Sequence, residues 1–215
     1  MSCSSYHERI WQAVPEGLDP PDLELRLAFL LAAAEAAGAG RGSRPRVLDV
    51  GCGEGRFAVE LARRGFAVVG VDVAEEPLRR AHAREPALDV RIVPAEGHWP
   101  LADASFDLVW AGETIEHVAD TVGWLSEVHR VLRAGGRLLL STPAHGRLRM
   151  LALALSGTRF ECHFDPRADH LRFYSRRTLA RLLADLGFRE IEVRGAGGIP
   201  LAPRLLLASA VRASG

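Results

Sequence analysis

Lysine is absent from this 215-residue chain, so every fixed cationic side chain is one of 27 arginines. These are matched by 27 acidic residues, and the formal net charge is zero. Without a net positive charge there is no global field for a polyanion, which weighs against nucleic acid as a partner. Cysteine is scarce: Cys3, Cys52 and Cys162 are an odd number with no metal-type spacing, which points to reduced thiols and a cytoplasmic location. The first eleven residues contain no apolar core of signal-peptide length. The longest apolar stretches, 148–155 and 201–211, are each interrupted by an arginine. Both fall short of the roughly 20 residues a membrane-spanning helix needs, so no transmembrane segment is expected. What remains is 48% hydrophobic and 25% charged residues, ordinary for a globular protein and enough for one core. A single domain over 1–215 is expected.

Along the chain, apolar strand-like runs alternate with helical ones. Strands are expected up to Val50 and over 66–72, 90–93, 106–111, 137–141 and 188–193, with a last one at 205–211. Helices are expected over 23–37, 57–64, 77–84, 121–132 and 175–186, the last capped by Ser175 and ended by Gly187. Residues 1–21 read as a short helix and a loop, 38–43 as a linker and 133–136 as a turn. This rhythm predicts an α/β, doubly wound fold whose mostly parallel sheet has helices on both faces. Residues 1–42 would form an N-terminal helical cap. Between strand five and the next regular helix lies an insertion, 144–174, near the strand ends where open α/β sheets bind ligands. It reads as a substrate-side wall or lid.

The stretch Val47-Leu48-Asp49-Val50-Gly51-Cys52-Gly53-Glu54-Gly55 is read as a strand entering a tight turn before a helix. Glycine lets backbone turn sharply and lets a ligand approach where a Cβ would collide. Its G-x-G-x-G pattern is one residue shorter than the dinucleotide fingerprint. Asp72, 21 positions after Gly51, ends the second strand, where a carboxylate can accept both hydroxyls of a ribose. Asp49 puts negative charge just before the turn, where an open helix N-terminus would otherwise suit a pyrophosphate. The expected ligand carries a ribose and a positive group, and no phosphate.

Val47 to Gly55, Gly70-Val71-Asp72, Phe106-Asp107-Leu108-Val109, Glu116-His117-Val118 and the run from Arg130 to Gly136 resemble the successive motifs of a known family. They are similar to those of class I S-adenosylmethionine-dependent methyltransferases of the quinone- and small-molecule-methylating type. The resemblance covers about residues 46–142 and implies a Rossmann-like, seven-stranded sheet with its last strand antiparallel. It further implies that Asp49, Gly51, Cys52 and Gly53 receive the methionine part, with Glu113 near its amine. Asp72 would hold the ribose, Val73 would pack on the adenine, and Ala95 and Glu96 would edge it. Pro94 departs from the Asp that relatives commonly carry there.

Methyl transfer from a sulfonium is an in-line displacement that needs alignment and water exclusion more than acid/base machinery. A hydroxyl acceptor still benefits from a base or a cation. Glu113, Glu116 and His117 form E-x-x-E-H after strand four, and a helical turn starting at Glu113 would put all three on one side. With His170 they resemble the Glu-Glu-His-plus-His metal site of small-RNA 2′-O-methyltransferases, suited to Mg²⁺, Mn²⁺ or Zn²⁺. Three readings stand: a divalent metal site, a metal-free catalytic role for His117, and a structural cluster. Other candidates are His163 and Asp165 beside the site, Arg147, Arg149, Arg172 and Arg176 for an acidic substrate, and Tyr6 and Trp11 as a flap over the cofactor. The apolar run 148–155 suits a wall for an apolar substrate, a peripheral membrane contact or a core helix. The expected function is O-methylation of a small, partly apolar molecule. The alternatives are 2′-O-methylation of an RNA 3′ end and a non-catalytic cofactor-binding module.

Overall fold

The computed structural model describes residues 3–38, 44–165 and 169–213. Most of the expected linker, 39–43, and residues 166–168 of the insertion lie outside them, as does the side chain of Cys3. Cys52 and Cys162 are free thiols.

Period-two alternation along the central strands assigns side chains to two helical layers. From β1 (Arg46–Val50), β4 (Phe106–Gly112) and β5 (Leu132–Pro143), Val47, Leu108, Trp110 and Leu139 point to one face. They pack on Leu30 and Ala34 of α2 (Leu23–Gly38) and on Phe57 and Leu61 of α3 (Arg56–Arg63). Their neighbours Leu48, Val50, Val109, Ala111, Leu138 and Leu140 point to the other face. There they meet Trp124, Leu125 and Val128 of α5 (Thr121–Val131), and Leu179 and Leu183 of α8 (Arg176–Asp185). Strands buried on both faces read as nearly continuous apolar runs, which is why they were legible.

The remaining strands are β2 (Ala67–Asp72), β3 (Asp89–Ile92), β6 (Phe188–Ile199) and β7 (Ala202–Arg212). The seven form one sheet in the order β3-β2-β1-β4-β5-β7-β6, with β7 antiparallel to both neighbours. This is the expected α/β, doubly wound architecture. The order reverses direction between β1 and β4, and a cleft opens beyond their carboxyl ends, where such sheets hold ligands.

Four elements differ from expectation. β5 follows α5 without a break, so the expected turn at 133–136 lies inside the strand, with a pairing irregularity between Phe106 and Leu108 of β4. β6 and β7 run past their expected ends because each pairs with the other almost throughout, drawing Gly195, Gly197 and Gly198 into or beside the ladder. That pairing is tertiary, and it overrides the poor local strand preference of glycine. α4 (Glu75–Arg84) starts before Pro77, which sits in the first turn where no N–H is needed. Outside the sheet layers lie α1 (Cys3–Ala13) at the start of the chain and α6 (Arg147–Ala154) and α7 (Gly157–His163) in the insertion.

Candidate cofactor and acceptor site

The turn after β1 is built from residues in left-handed backbone: Gly51 has φ 69° and Gly53 φ 53°. A Cβ on Gly51 would fall 2.5 Å from Thr114 Oγ1, and one on Gly53 would fall 2.9 Å from the Trp11 ring. No larger residue fits either place. The amides of Gly51 and Cys52 both donate to the Val71 carbonyl, at 2.8 and 3.0 Å, which folds the turn against the end of β2.

Two cavities meet at this turn. The first, about 230 Å³, runs from Val71, Asp72, Val73 and Val93–Glu96 past Trp99 and Trp124 to Glu113, His117 and Asp169. The second, about 280 Å³, is lined by Arg26, Asp49, Gly51, Cys52, Gly53, Trp110 and Glu113. Gly51, Glu113, Trp11 and Val14 belong to both. All nine residues expected at the cofactor thus line one cavity or the other. Of the expected flap, Trp11 lies over both cavities, while Tyr6 lines neither and packs against His7.

At the first cavity, Asp72 is set before any ligand arrives. Its Oδ1 accepts from the amides of Val73 (2.8 Å) and Ala74 (3.1 Å), and its Oδ2 from Gly53 (3.1 Å). Burial raises its pKa, and these three donors hold it back. At the second cavity, Asp49 is 1% exposed and burial pushes its pKa up to about 7. Arg26, 2% exposed, opposes that rise. Its Nη1 donates to the Pro21 carbonyl at 3.2 Å and its guanidinium lies 4.8 Å from the Phe57 ring centre. Arg26 Nε, Asp49 Oδ2 and Trp110 Nε1 are buried without a hydrogen-bond partner. Buried polar atoms are rarely left so, and a cluster of them beside a cavity offers donors and an acceptor to whatever occupies it.

Arg26 and Trp99 were not found from sequence. An arginine in a Leu/Ala helix reads as solvated, yet Arg26 occupies one stripe with Leu30 and Ala34, the buried residues of α2. Its i, i+4, i+8 register with them was the available signal.

The carboxylate and histidine group takes another shape than expected. Glu113 does not begin a helical turn: its φ is 54°, and the one-turn 3-10 helix begins at Ile115. Glu113 Oε1 accepts from Ser141 Oγ at 3.0 Å, and burial raises its pKa. The donor atoms of Glu116, His117 and His170 do converge, all within 4.8 Å of one another. Glu116 is fully buried; Oε2 accepts from Thr142 Oγ1 at 2.9 Å, whereas Oε1 has no partner. Burial, then the nearby Glu113, pushes its pKa up to about 8. His117 Nδ1 lies 3.0 Å from the Asp169 carbonyl, an acceptor only, so Nδ1 carries the proton and Nε2 keeps its lone pair. Burial lowers the pKa of His117. His163 and Asp165 lie outside this trio; His163 instead stacks with His145 and Phe173.

A sequence profile described as a methyltransferase domain matches residues 22–193. The chain belongs to the methyltransferase family. Among curated relatives, a ubiquinone biosynthesis O-methyltransferase of Dinoroseobacter shibae is 34% identical over 70% of this chain and 62% of its own length. One of Caulobacter vibrioides is 36% identical over 67% of this chain and 61% of its own. The chain therefore spans about three fifths of these relatives. A solved S-adenosylmethionine-dependent methyltransferase from Methanosarcina mazei, 24% identical, covers 81% of this methyltransferase chain and 95% of its own with a TM-score of 0.62. A Haemonchus contortus phosphoethanolamine N-methyltransferase bound to S-adenosylhomocysteine, 18% identical, covers 100% and 59% with a TM-score of 0.68.

Proposed function

We propose that this chain transfers the methyl group of S-adenosylmethionine to an oxygen of a small, partly apolar acceptor. The observation that carries the proposal is the polarity of the joined cavities. Asp72 at one end suits a ribose, and Arg26 opposite Asp49 and Glu113 at the other suits the carboxylate and ammonium of an amino acid. The curated relatives support O-methylation. The domain is read as one unit, with 1–42 as a cap and 144–174 as the acceptor-side wall.

In the reaction, the acceptor oxygen attacks the methyl carbon in line with the departing sulfur. A C–O bond forms, the C–S bond breaks, and its electron pair neutralises the sulfonium. His117 Nε2 takes the hydroxyl proton, with Nδ1–H held by Asp169. Exposed Leu148, Leu151, Phe160, Phe164 and Phe173 on the insertion favour an acceptor with an apolar body. They also suit peripheral contact with a bilayer surface.

A second reading is favoured by the unpartnered Glu116 Oε1: Glu116, His117 and His170 would hold a divalent cation, with Glu113 next to them. Bound there, the cation would lower the pKa of an acceptor hydroxyl. His117 Nε2 cannot serve both as ligand and as base, so the readings separate. Methyl-labelled S-adenosylmethionine offered with a panel of catechols and hydroxyquinones should yield S-adenosylhomocysteine. No turnover with any acceptor, despite cofactor binding, would leave a binding module instead. Activity surviving chelation, with no calorimetric heat from Mg²⁺, Mn²⁺ or Zn²⁺, would assign Nε2 as the base.

A further inference from the structure

α1 takes no part in the sheet, yet two sets of contacts from α4 hold it over both cavities. Glu8 Oε2 accepts from the amides of Glu75 (2.8 Å) and Glu76 (3.2 Å) at the start of α4. Those first-turn donors lack intrahelical partners and favour a carboxylate. Farther along α4, Arg80 is 7% exposed and reaches back to the other end of α1. Its Nη2 donates to the Trp11 carbonyl at 2.8 Å and its Nη1 to the Val14 carbonyl at 3.0 Å. These carbonyls belong to the last turn of α1 or just beyond it, where acceptors are free.

The same guanidinium is fixed from behind. Its Nη1 also meets Glu54 Oε1 at 3.0 Å, and its Nε meets Glu76 Oε1 at 2.7 Å. Glu54 Oε2 accepts from the Gly17 amide and from Arg84 Nη2, both at 2.9 Å. Glu54 stands inside the glycine turn, so the backbone that receives the cofactor and the tie on its roof are one piece. The roof itself is substantial: Trp11 and Val14 line both cavities, and His7 and Ile10 line the first. Arg80 lines neither, so its effect on the cofactor passes through α1 or through Glu54 of the glycine turn, and Glu8, which bonds only the start of α4, separates the two routes.

The geometry points to Arg80 as a positioning residue for the cofactor. It clamps α1 as the roof of the cavities, and the cofactor enters and leaves when the clamp opens. This rests on the S-adenosylmethionine reading given above.

Arg80→Lys keeps a charge opposite Glu54 and Glu76 but lacks the planar fork that spans two carbonyls. Glu8→Gln weakens the second tie without touching the buried ion pair. In each variant, stopped-flow release of S-adenosylhomocysteine should quicken roughly 5- to 20-fold, and KM for S-adenosylmethionine should rise more than kcat falls. Amide exchange over residues 4–14 should quicken while β1 and β4 keep their protection. Unchanged release and exchange in both variants would overturn the clamp. So would exchange that quickens equally across β1 and β4, because Arg80 would then serve stability alone. A wild-type protein that binds no S-adenosylhomocysteine would fail before any substitution, and would overturn the cofactor reading together with this one.

Discussion

Asp49 is a carboxylate that the fold has stripped of water, with burial setting its pKa near 7 against the pull of Arg26. A cationic cofactor favours the ionised form, so below pH 7 binding must first remove a proton. The affinity for S-adenosylmethionine should weaken as pH falls, by up to about tenfold per unit. Calorimetry at pH 5.5–8.5 in buffers of different ionisation enthalpy checks this; a flat affinity without proton release would refute it. His117→Gln should leave cofactor binding intact and reduce kcat by about 10²–10⁴-fold, measured under saturating acceptor. Asp49, Gly51 and Asp72 were legible because their meaning depends on neighbours in sequence. Arg26 was not, since it reaches the cleft only by packing against β4; Glu113 was named, but its left-handed backbone and its bond to Ser141 were not, because both depend on β5.

At the scale of elements, the insertion is the least regular part, and one half-buried ring, that of His145, sits at its base. His145 lies 4.9 Å from Phe173 and 5.4 Å from His163, ring centre to ring centre. Burial, then the neighbouring His163, lowers its pKa from 6.5 to about 4. Between those values the unfolded chain binds the extra proton, so stability rises with pH through that window and falls on acidification below 6.5. For this ring the loss by pH 4 amounts to at most about 3 kcal/mol. Urea midpoints from pH 7 to 4 should show the decline, and His145→Phe should flatten it. The sheet elements were readable as apolar runs, and α6 coincides with the apolar run read at 148–155, but α7 carried no such mark. α6 and α7 bury no side chain fully, so no periodic apolar face marks their limits.

For the whole molecule, the reversal of strand order between β1 and β4 brings Asp49, Asp72, Glu113 and Arg26 from four separate stretches to one cleft. The seven-stranded, mostly parallel sheet with its antiparallel last strand was expected from rhythm and resemblance, and a cap over 1–42 with Trp11 in a flap was expected too; the entry of Arg26 of α2 into the cleft was not, because nothing local in that helix announces what it covers. Joining the cleft to a ligand should also tie stability to occupancy. S-adenosylhomocysteine at about 100 times its Kd should add about 2.7 kcal/mol, or about 5–10 °C in Tm, by differential scanning fluorimetry. A shift under 1 °C at that concentration would count against a preformed site.

The unpartnered atoms of Arg26, Asp49 and Trp110 carry this coupling into the cell. A chain without a ligand in this cleft lacks the ligand's contribution to stability, and opens more often to proteases. On the proposed function, its abundance would then follow the supply of methyl donor.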